Sequence, residues 1–270
     1  MGRPIWVVRL LKLLYKQKKI AAWVTNLPVI GDVIEKSIFS GDNLYCLPKD
    51  HIIHVNESVT PQGDIILPSR VAESFVERAN FHWIMNFCIC RSSNKCKDYP
   101  IELGCLFLGE AAMGINPKIG RRATKEEALD HMKKSRDAGL VHFIGRVKGD
   151  SLWLGVGPDN KLLTICNCCP CCCISGMIPY MAPQIAKNYK KLPGVEVRVT
   201  DSCVGCGTCV DICFVNAIQI IEKKAVIGNV CRGCGRCVEK CPQKAIELTL
   251  TDEHFLEKTI DSISDCVNVT

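Results

Sequence analysis

The 270-residue chain contains none of the short motifs that mark catalysis by side chains. It has no P-loop, no G-x-S-x-G turn and no H-E-x-x-H pair, and its six histidines show no paired spacing. The GVGPDN segment at 155–160 is not a dinucleotide fingerprint, because it lies between predicted strands and no helix is predicted after it. Nothing in the sequence therefore favours hydrolysis or group transfer by side-chain chemistry.

Segments that would direct the chain out of the cytoplasm or into a bilayer are also missing. Lys or Arg interrupts the first 20 residues every few positions, so no apolar signal segment with a small-residue cleavage site is present. Residues 162–186 carry no charge, but they contain Pro170, Pro179 and Pro183, which are unfavourable inside a spanning helix. We therefore predict a cytoplasmic location, and 47% apolar residues with 23% charged residues exclude disorder.

Cysteine is the residue that the chain has in excess, with 20 in 270 residues. A disulfide framework and metal ligation are the two explanations for such a number. The cysteines are clustered rather than dispersed, with six of them inside residues 166–173. Clustering in a reducing compartment favours metal ligation, and the isolated Cys46 and Cys266 are predicted to be free thiols.

The strongest motif is an internal duplication near the C-terminus. The spacing C-x2-C-x2-C-x3-C occurs twice with an offset of 28 residues, and the flanking residues repeat as well (CVGCGTCVDICFVNAIQI and CRGCGRCVEKCPQKAIEL). This duplication resembles the bacterial two-cluster ferredoxin module and covers residues 195–250. Phe214 stands where that family often has proline. Zinc is the alternative occupant, and two interleaved sets of four cysteines favour iron–sulfur clusters over it.

The ferredoxin resemblance implies two 4Fe–4S clusters with crossed ligands, since the fourth cysteine of each motif ligates the other cluster. Gly205, Gly207, Gly233 and Gly235 would let the backbone turn tightly around the sulfurs. The implied ligands are Cys203, Cys206, Cys209 and Cys241 for cluster I, and Cys231, Cys234, Cys237 and Cys213 for cluster II.

A second constellation of ten thiols precedes the ferredoxin motif. Ten thiols are too many for one cubane and enough for two clusters, or for one larger or non-cubane cluster. We predict at least one additional iron–sulfur cluster here, with its type and ligand subset left open; zinc bound by part of the set and buried structural thiols are the alternatives. The ten are Cys88, Cys90, Cys96, Cys105, Cys166, Cys168, Cys169, Cys171, Cys172 and Cys173.

Two resemblances bear on these ten thiols. The Cys168-Cys169-Pro170 run is similar to the C-C-G run of the heterodisulfide-reductase catalytic subunit, although Pro replaces Gly and the distant cysteines are spaced differently. Residues 81–173 more closely resemble a family of anaerobe iron–sulfur proteins that place an ICNCC-x-CCC run ahead of a two-cluster ferredoxin. That second resemblance spans most of the chain and brings no established activity with it.

The N-terminal segment is predicted to form a basic amphipathic helix, with Trp6, Val7, Leu10, Leu11 and Leu14 at helical spacing. Residues 1–31 contain six Lys and Arg residues and no acid, and Arg9, Lys12, Lys16 and Lys19 form one stripe. Packing on this protein or on a partner subunit, with the basic stripe in water, is one interpretation of such a helix, and binding to an anionic membrane surface is the alternative. We expect its deletion to abolish docking and to leave the clusters intact.

The remaining periodicities predict an α+β fold. A capping box at Thr124 and Glu127 predicts a helix over 125–138 that ends at Gly139, and Ser69 is predicted to cap a helix over 70–79. Alternation over 81–90 predicts an extended segment that aims Cys88 and Cys90 the same way. Further strands are predicted at 52–55, 65–67, 140–147, 151–156 and 162–166.

The predicted organisation has four parts: a basic amphipathic helical segment (1–40), a Cys-rich α+β domain (41–194), the two-cluster domain (195–250) and a C-terminal tail (251–270). The formal charge of +6 falls to about +2 with two bound clusters, since each cubane with four thiolates adds −2. The body is then acidic and the N-terminal segment basic. No basic recognition helix is present, so nucleic acid is not expected as a partner.

These observations predict an iron–sulfur protein that passes single electrons through its clusters to a redox partner protein or an oxidoreductase complex. Its location is expected to be cytoplasmic, with the basic helix available for contact with the inner face of the membrane. The alternative is a reductase whose substrate binds an unusual cluster of the Cys88–Cys173 region and receives electrons from the ferredoxin domain.

Overall fold

The structure is a computed structural model that describes residues 2–50, 53–55 and 67–270, with only the backbone at 53–55. Both helices and sheets are present, which confirms the predicted α+β class. The helices are α1 (Ile5–Leu14), α2 (Lys18–Val24), α3 (Ile30–Ile34), α4 (Ser69–Arg78), α5 (Ile89–Asn94), α6 (Lys125–Asp137), α7 (Lys148–Leu154), α8 (Pro183–Ala186), α9 (Thr208–Asp211), α10 (Arg236–Lys240) and α11 (Phe255–Ser264). The strands are β1 (Asn43–Leu47), β2 (Ile53–Val55), β3 (His82–Met85), β4 (Leu106–Leu108), β5 (Gly120–Ala123), β6 (Val141–Arg146), β7 (Leu163–Cys168), β8 (Tyr189–Lys191), β9 (Val195–Val199), β10 (Ile218–Ile221), β11 (Lys224–Ile227) and β12 (Ile246–Leu250).

A seven-stranded sheet with the order β5-β3-β4-β7-β6-β1-β8 forms the main layer. All neighbouring strands in it are antiparallel except β1 and β8, which run parallel. The sheet positions the thiols because β7 lies in its middle and carries Cys166 and Cys168 at its C-terminal end. Residues two apart on a strand face the same side, so these two thiols share one face of the sheet.

The ferredoxin-like part contains a β10–β11 hairpin and a three-stranded sheet in which β12 lies between β9 and β2. Strand β2 pairs in parallel with β12, so a segment of the N-terminal half completes a C-terminal sheet. The largest apolar core also crosses this boundary, because Leu248 and Leu250 of β12 pack with Val76 of α4 and Ile144 of β6. The predicted division at residue 195 therefore does not coincide with a break in packing.

The C-terminal segment 251–270, predicted as a tail, contains the helix α11. Phe255 and Ile263 on α11 are buried in the same core as the large sheet, and Tyr45 of β1 donates a hydrogen bond to Ser262 Oγ over 2.9 Å. The helix carries apolar residues on one face and is therefore held against the sheet by burial rather than by its own propensity.

The predicted start and end of α6 are confirmed, whereas α4 is confirmed without its predicted cap. The capping box of Thr124 and Glu127 is present at the start of α6, and Gly139 adopts a φ of +79° just beyond its end, as predicted. Helix α4 lies where the sequence predicts it, but Pro68 is its N-cap and Ser69 is its first residue. Asp50 explains the difference, because its Oδ1 accepts the hydrogen bond of Ser69 N over 3.0 Å and replaces a side-chain cap.

Two strand predictions are wrong. Residues 151–156 belong mostly to helix α7, where Ser151 and Leu154 are buried at helical spacing and Gly155 ends the helix at a φ of +67°. In 81–90 only β3 is extended, and Cys88 is the N-cap of α5 with Cys90 in its first turn. Apolar alternation over a few residues does not distinguish a strand from a short helix. Both segments form short helices here, and residues of each helix are buried. The strands predicted near 52–55, 140–147 and 162–166 are present, and the run at 65–67 lies, except for Leu67, outside the described residues.

Candidate metal centres

The eight cysteines of the ferredoxin-like repeats surround two separate cavities. Each cavity takes three cysteines from one repeat and the fourth from the other, which is the crossed arrangement that the resemblance implies. The first is lined by Cys203, Cys206, Cys209 and Cys241, and the second by Cys231, Cys234, Cys237 and Cys213.

Positive φ angles shape the loops that carry these cysteines. Gly205 and Gly207 adopt φ of +68° and +83°, and Gly233 and Gly235 adopt +66° and +79°. A Cβ on Gly205 would lie 2.4 Å from the carbonyl oxygen of Lys223, so this loop fits against the β10–β11 turn only with glycine. The sequence-based expectation of tight, glycine-dependent turns therefore agrees with the geometry.

Backbone N–H groups point at the sulfurs in both repeats. Ala217 N lies 3.2 Å from Cys213 Sγ, and Ala245 N, at the equivalent position of the second repeat, lies 3.3 Å from Cys241 Sγ. Ala225 N donates to Cys203 Sγ over 3.3 Å in the same manner. Such donors stabilise thiolate over thiol and tune the potential of a sulfur-bound cluster. The donor set and the cavities therefore fit two 4Fe–4S clusters.

Arg236 distinguishes the second cavity from the first. Its guanidinium is 3% exposed, lines the second cavity and lies 5.4 Å above the ring of Phe214. Nη2 donates to the carbonyl oxygen of Cys168, whereas Nε and Nη1 have no hydrogen-bond partner in the described part of the chain. A buried cation with free donors requires a nearby anion, and an anionic cluster would supply it. Thr208 occupies the equivalent position in the first repeat.

The ten N-terminal thiols separate into two groups in space. Six of them form a chain of neighbouring thiols, which we call the hexad: Cys88, Cys90, Cys173, Cys168, Cys166 and Cys105, in the order of contact. The other four form a compact group, which we call the tetrad: Cys96, Cys169, Cys171 and Cys172.

The hexad lies at the end of β7, where strand, loop and helix meet. Cys168 Sγ is 3.0 Å from Cys173 Sγ, and Cys166 Sγ is 3.8 Å from Cys105 Sγ. Hydrogen bonds from Cys168 and Cys90 hold the pKa of Cys173 well below its usual value, and the same contact with Cys173 raises the pKa of Cys90. Thiols packed this closely repel one another once they ionise, so a bound cation would be needed to deprotonate the whole set.

Arg91 lies between the hexad and the tetrad and is fully buried. Its side chain donates to the carbonyl oxygens of Pro100 over 2.8 Å, of Asn167 over 2.6 Å and of Leu103. These bonds tie the 95–105 loop to the end of β7 and place a positive charge beside the thiols. Arg91 and Arg236 were not predicted from the sequence, since no spacing marks an arginine next to a cysteine as buried.

The N-terminal helices cover this region instead of standing apart from it. Tyr15 Oη donates to the carbonyl oxygen of Cys172 over 3.0 Å, and Lys18 Nζ donates to the same oxygen over 2.7 Å. Val8 is buried in an apolar core with β3 and β4, and Lys12 turns inward, with Nζ 3.6 Å above the ring of Phe87. Residues 1–31 therefore pack on the rest of the chain, which is one of the alternatives for this segment, and Lys12 does not share an exposed basic stripe.

The two isolated cysteines belong to neither N-terminal group. Cys46 is fully buried in the apolar core that also contains Phe214, and Cys266 donates weakly to the carbonyl oxygen of Ser262 over 3.5 Å. Neither contributes a sulfur to the lining of the two ferredoxin cavities.

Comparison with known proteins gives one match. The family model of the 4Fe-4S binding domain matches residues 196–219 and again residues 225–247, which confirms the two predicted 4Fe–4S repeats in the C-terminal region. No curated protein and no solved structure matches the chain. Among residues 2–50, 53–55 and 67–270, no helix is both long and apolar enough to cross a bilayer.

Proposed function

We propose that this protein transfers single electrons through three iron–sulfur clusters, two in the ferredoxin-like repeats and a third held by the hexad. The two 4Fe-4S repeats and the many cysteines support an iron–sulfur electron-transfer role. When bound, iron–sulfur clusters supply one-electron chemistry at potentials set by burial, charge and hydrogen bonds to sulfur.

The observation that carries the proposal is the continuous packing between the second cavity and the hexad. Cys168 and Cys173 of the hexad lie in one apolar cluster with Phe214 and Val215, and Cys213 and Cys231 pack against the same cluster. Arg236 bridges the two sites, because it lines the second cavity and donates to the backbone of Cys168. The second cavity is therefore the neighbour of the hexad, and we infer that electrons pass from the first cavity through the second to the hexad.

The residues around this route exclude water and place positive charges beside the cysteine sulfurs. Cys88, Cys90, Cys168 and Cys173 are buried, and Tyr15 and Lys18 cover the adjacent loop. Arg91 and Arg236 place two buried cations beside anionic sulfurs, where they offset part of the desolvation of the negative charge. These features favour electron transfer over substrate binding.

Iron quantification with EPR on the anaerobically purified full chain tests the proposal. We expect clearly more than about eight irons per chain, and a Cys168→Ser variant should fall to about eight while both ferredoxin signals persist. Cys266→Ser is the matched control, because it removes a thiol outside all four groups and should leave the iron content unchanged. A wild-type chain with only about eight irons would refute a third cluster.

We further propose that the N-terminal helices bind an anionic membrane surface. Trp6, Leu13 and Trp23 are 66%, 67% and 59% exposed, which is unusual for large apolar side chains. Arg9, Lys16 and Lys19 are exposed on the same helices. An exposed apolar strip flanked by cations fits the interface of an anionic bilayer, where each cation contributes about 1 kcal/mol.

Sedimentation with vesicles tests this second proposal. We expect binding to phosphatidylserine-containing vesicles that weakens with salt, and at least about a tenfold loss in Leu13→Glu, because one buried leucine contributes about 1.5–3 kcal/mol. Val226→Glu also replaces an exposed apolar side chain by Glu, in the β10–β11 hairpin, and should bind normally. Equal binding of both variants, or no binding of the wild-type chain to these vesicles, would refute the proposal and favour a protein partner for this face.

The reductase alternative predicts turnover at the hexad. It requires an iron that substrate can reach, whereas four of the six thiols are buried. Anaerobic assays with reduced methyl viologen and candidate disulfides or thioesters separate the two functions, since an electron carrier should leave all of them unchanged.

A further inference from the structure

The tetrad differs from the other cysteine groups because every one of its sulfurs lies close to all the others. The Sγ atoms of its four cysteines all lie within 4.8 Å of one another, and Cys96 Sγ is 3.7 Å from Cys171 Sγ. Among the described residues, no other set of three or more histidine, cysteine or acidic side chains is this compact. The eight ferredoxin cysteines, in contrast, surround open cavities.

These distances discriminate between a cluster and a single ion. A tetrahedral ion with metal–sulfur bonds of about 2.3 Å holds its four sulfurs about 3.8 Å apart. A cubane places four irons between its thiolates and separates their sulfurs by about 6 Å. The 3.7 Å separation of Cys96 and Cys171 matches the single ion, and the 4.8 Å limit on all pairs leaves no room for a cubane.

We propose that the tetrad binds one zinc ion with tetrahedral thiolate coordination. Four cysteine sulfurs in a tetrahedron are typical of zinc or of iron, and zinc binds more tightly than ferrous iron at such a site. Backbone N–H groups already point at the sulfurs, since Cys172 N lies 3.3 Å from Cys169 Sγ and the N–H groups of Asp98 and Tyr99 donate to Cys96 Sγ. These donors stabilise the thiolate form that a metal ion requires.

The position of the tetrad defines what the zinc ion does. Cys96 lies just after α5, which begins between Cys88 and Cys90, and the other three ligands lie between Cys168 and Cys173. One ion therefore cross-links the two segments that together supply five of the six hexad thiols. The zinc ion is structural: it fixes the relative positions of the hexad ligands and carries no electrons, because zinc has no redox chemistry in proteins.

Metal analysis of the anaerobically purified full chain, produced in medium that contains both iron and zinc, tests the proposal. We expect one zinc ion per chain, and zinc-edge X-ray absorption should report four sulfur neighbours at about 2.3 Å. Cys171→Ser changes the exposed ligand and should lose most of the zinc, while the iron of the ferredoxin repeats remains. Cys266→Ser, the matched control, should keep both metals.

Several results would overturn the proposal. Absence of zinc, a mononuclear iron in its place, or zinc that is retained in Cys171→Ser would each do so. The X-ray absorption measurement is made on the wild-type chain, so it tests the zinc site even if the Cys171→Ser chain does not fold. The zinc and iron results are independent. A chain with more than about eight irons and no zinc refutes only the zinc site, and a chain with one zinc ion and only about eight irons refutes only the third cluster.

Discussion

Replacing Arg236 with threonine should lower the reduction potential of the second ferredoxin cluster and leave the first unchanged. The substitution makes the second repeat equivalent to the first, which has Thr208 at this position. Arg236 is buried at the second cavity, and two of its guanidinium nitrogens have no hydrogen-bond partner in the described part of the chain. Its positive charge favours the reduced, more negative cluster, so its removal favours the oxidised one.

The magnitude follows from Coulomb's law. At a separation of about 8 Å and an effective dielectric constant of about 20, one charge contributes about 2 kcal/mol, which is about 90 mV for a one-electron couple. Burial of the guanidinium removes most of the solvent screening that would otherwise reduce this value. Arg236→Lys keeps the charge and should retain most of the wild-type potential.

An EPR-monitored redox titration of the full chain provides the measurement. We expect one ferredoxin midpoint to fall by about 90 mV and the other to move by less than about 20 mV. Lys240→Thr is the control, because it removes an equal charge from an exposed position of the same helix α10. Unchanged midpoints in Arg236→Thr, or equal shifts of both clusters, would refute the assignment of Arg236 to the second cluster.

Three further predictions concern the loops, the buried acids and the N-terminal helices. Gly205→Ala should prevent assembly of the first cluster, because its Cβ would meet a backbone oxygen at 2.4 Å. The Cβ of Gly207→Ala meets nothing within 4 Å, so this control should lower the free energy of unfolding by only about 1 kcal/mol. Iron content and EPR distinguish the two variants. Burial raises the pKa of Asp42 to about 7 from 3.8, so this carboxyl group lowers the stability of the folded chain as pH rises from about 4 to 7. In denaturant unfolding, Asp42→Asn should therefore stabilise the chain by about 2–4 kcal/mol at pH 8 and by little at pH 4.5. An equal gain at the two pH values would contradict this prediction. Deletion of residues 1–31 should lower the iron content beyond the ferredoxin clusters, since it removes the bonds of Tyr15 and Lys18 to Cys172; intact spectra would show that this cover is dispensable.

The ferredoxin-like region was predictable because its ligands are fixed by local spacing. Three cysteines of each set lie within seven residues on one turn, and the duplication itself indicates where the fourth ligand comes from. The glycines at positive φ follow from the same short-range requirement. Local sequence determines local geometry here, so the pattern carries nearly all of the information.

The partition of the N-terminal thiols was not predictable for the opposite reason. Cys168 and Cys169 are adjacent in the sequence, yet one belongs to the hexad and the other to the tetrad, because β7 ends between them. The members of each group that lie between Cys88 and Cys105 are about 60 to 80 residues away and are brought close only by the order of strands in the large sheet. Similarly, the spacing of Lys12 suggests an exposed stripe, and only the position of Phe87 reveals that its ammonium group turns inward.

The crossed cysteines of the two repeats constrain when the protein can acquire iron. A ribosome that has released Cys203, Cys206 and Cys209 has produced only three of the four sulfurs around the first cavity, and the fourth, Cys241, follows 32 residues later. The apolar core of the large sheet also depends on this part of the chain, because Leu248 and Ile263 belong to that core. The four sulfurs around the first cavity are therefore complete only once Cys241 has been synthesised.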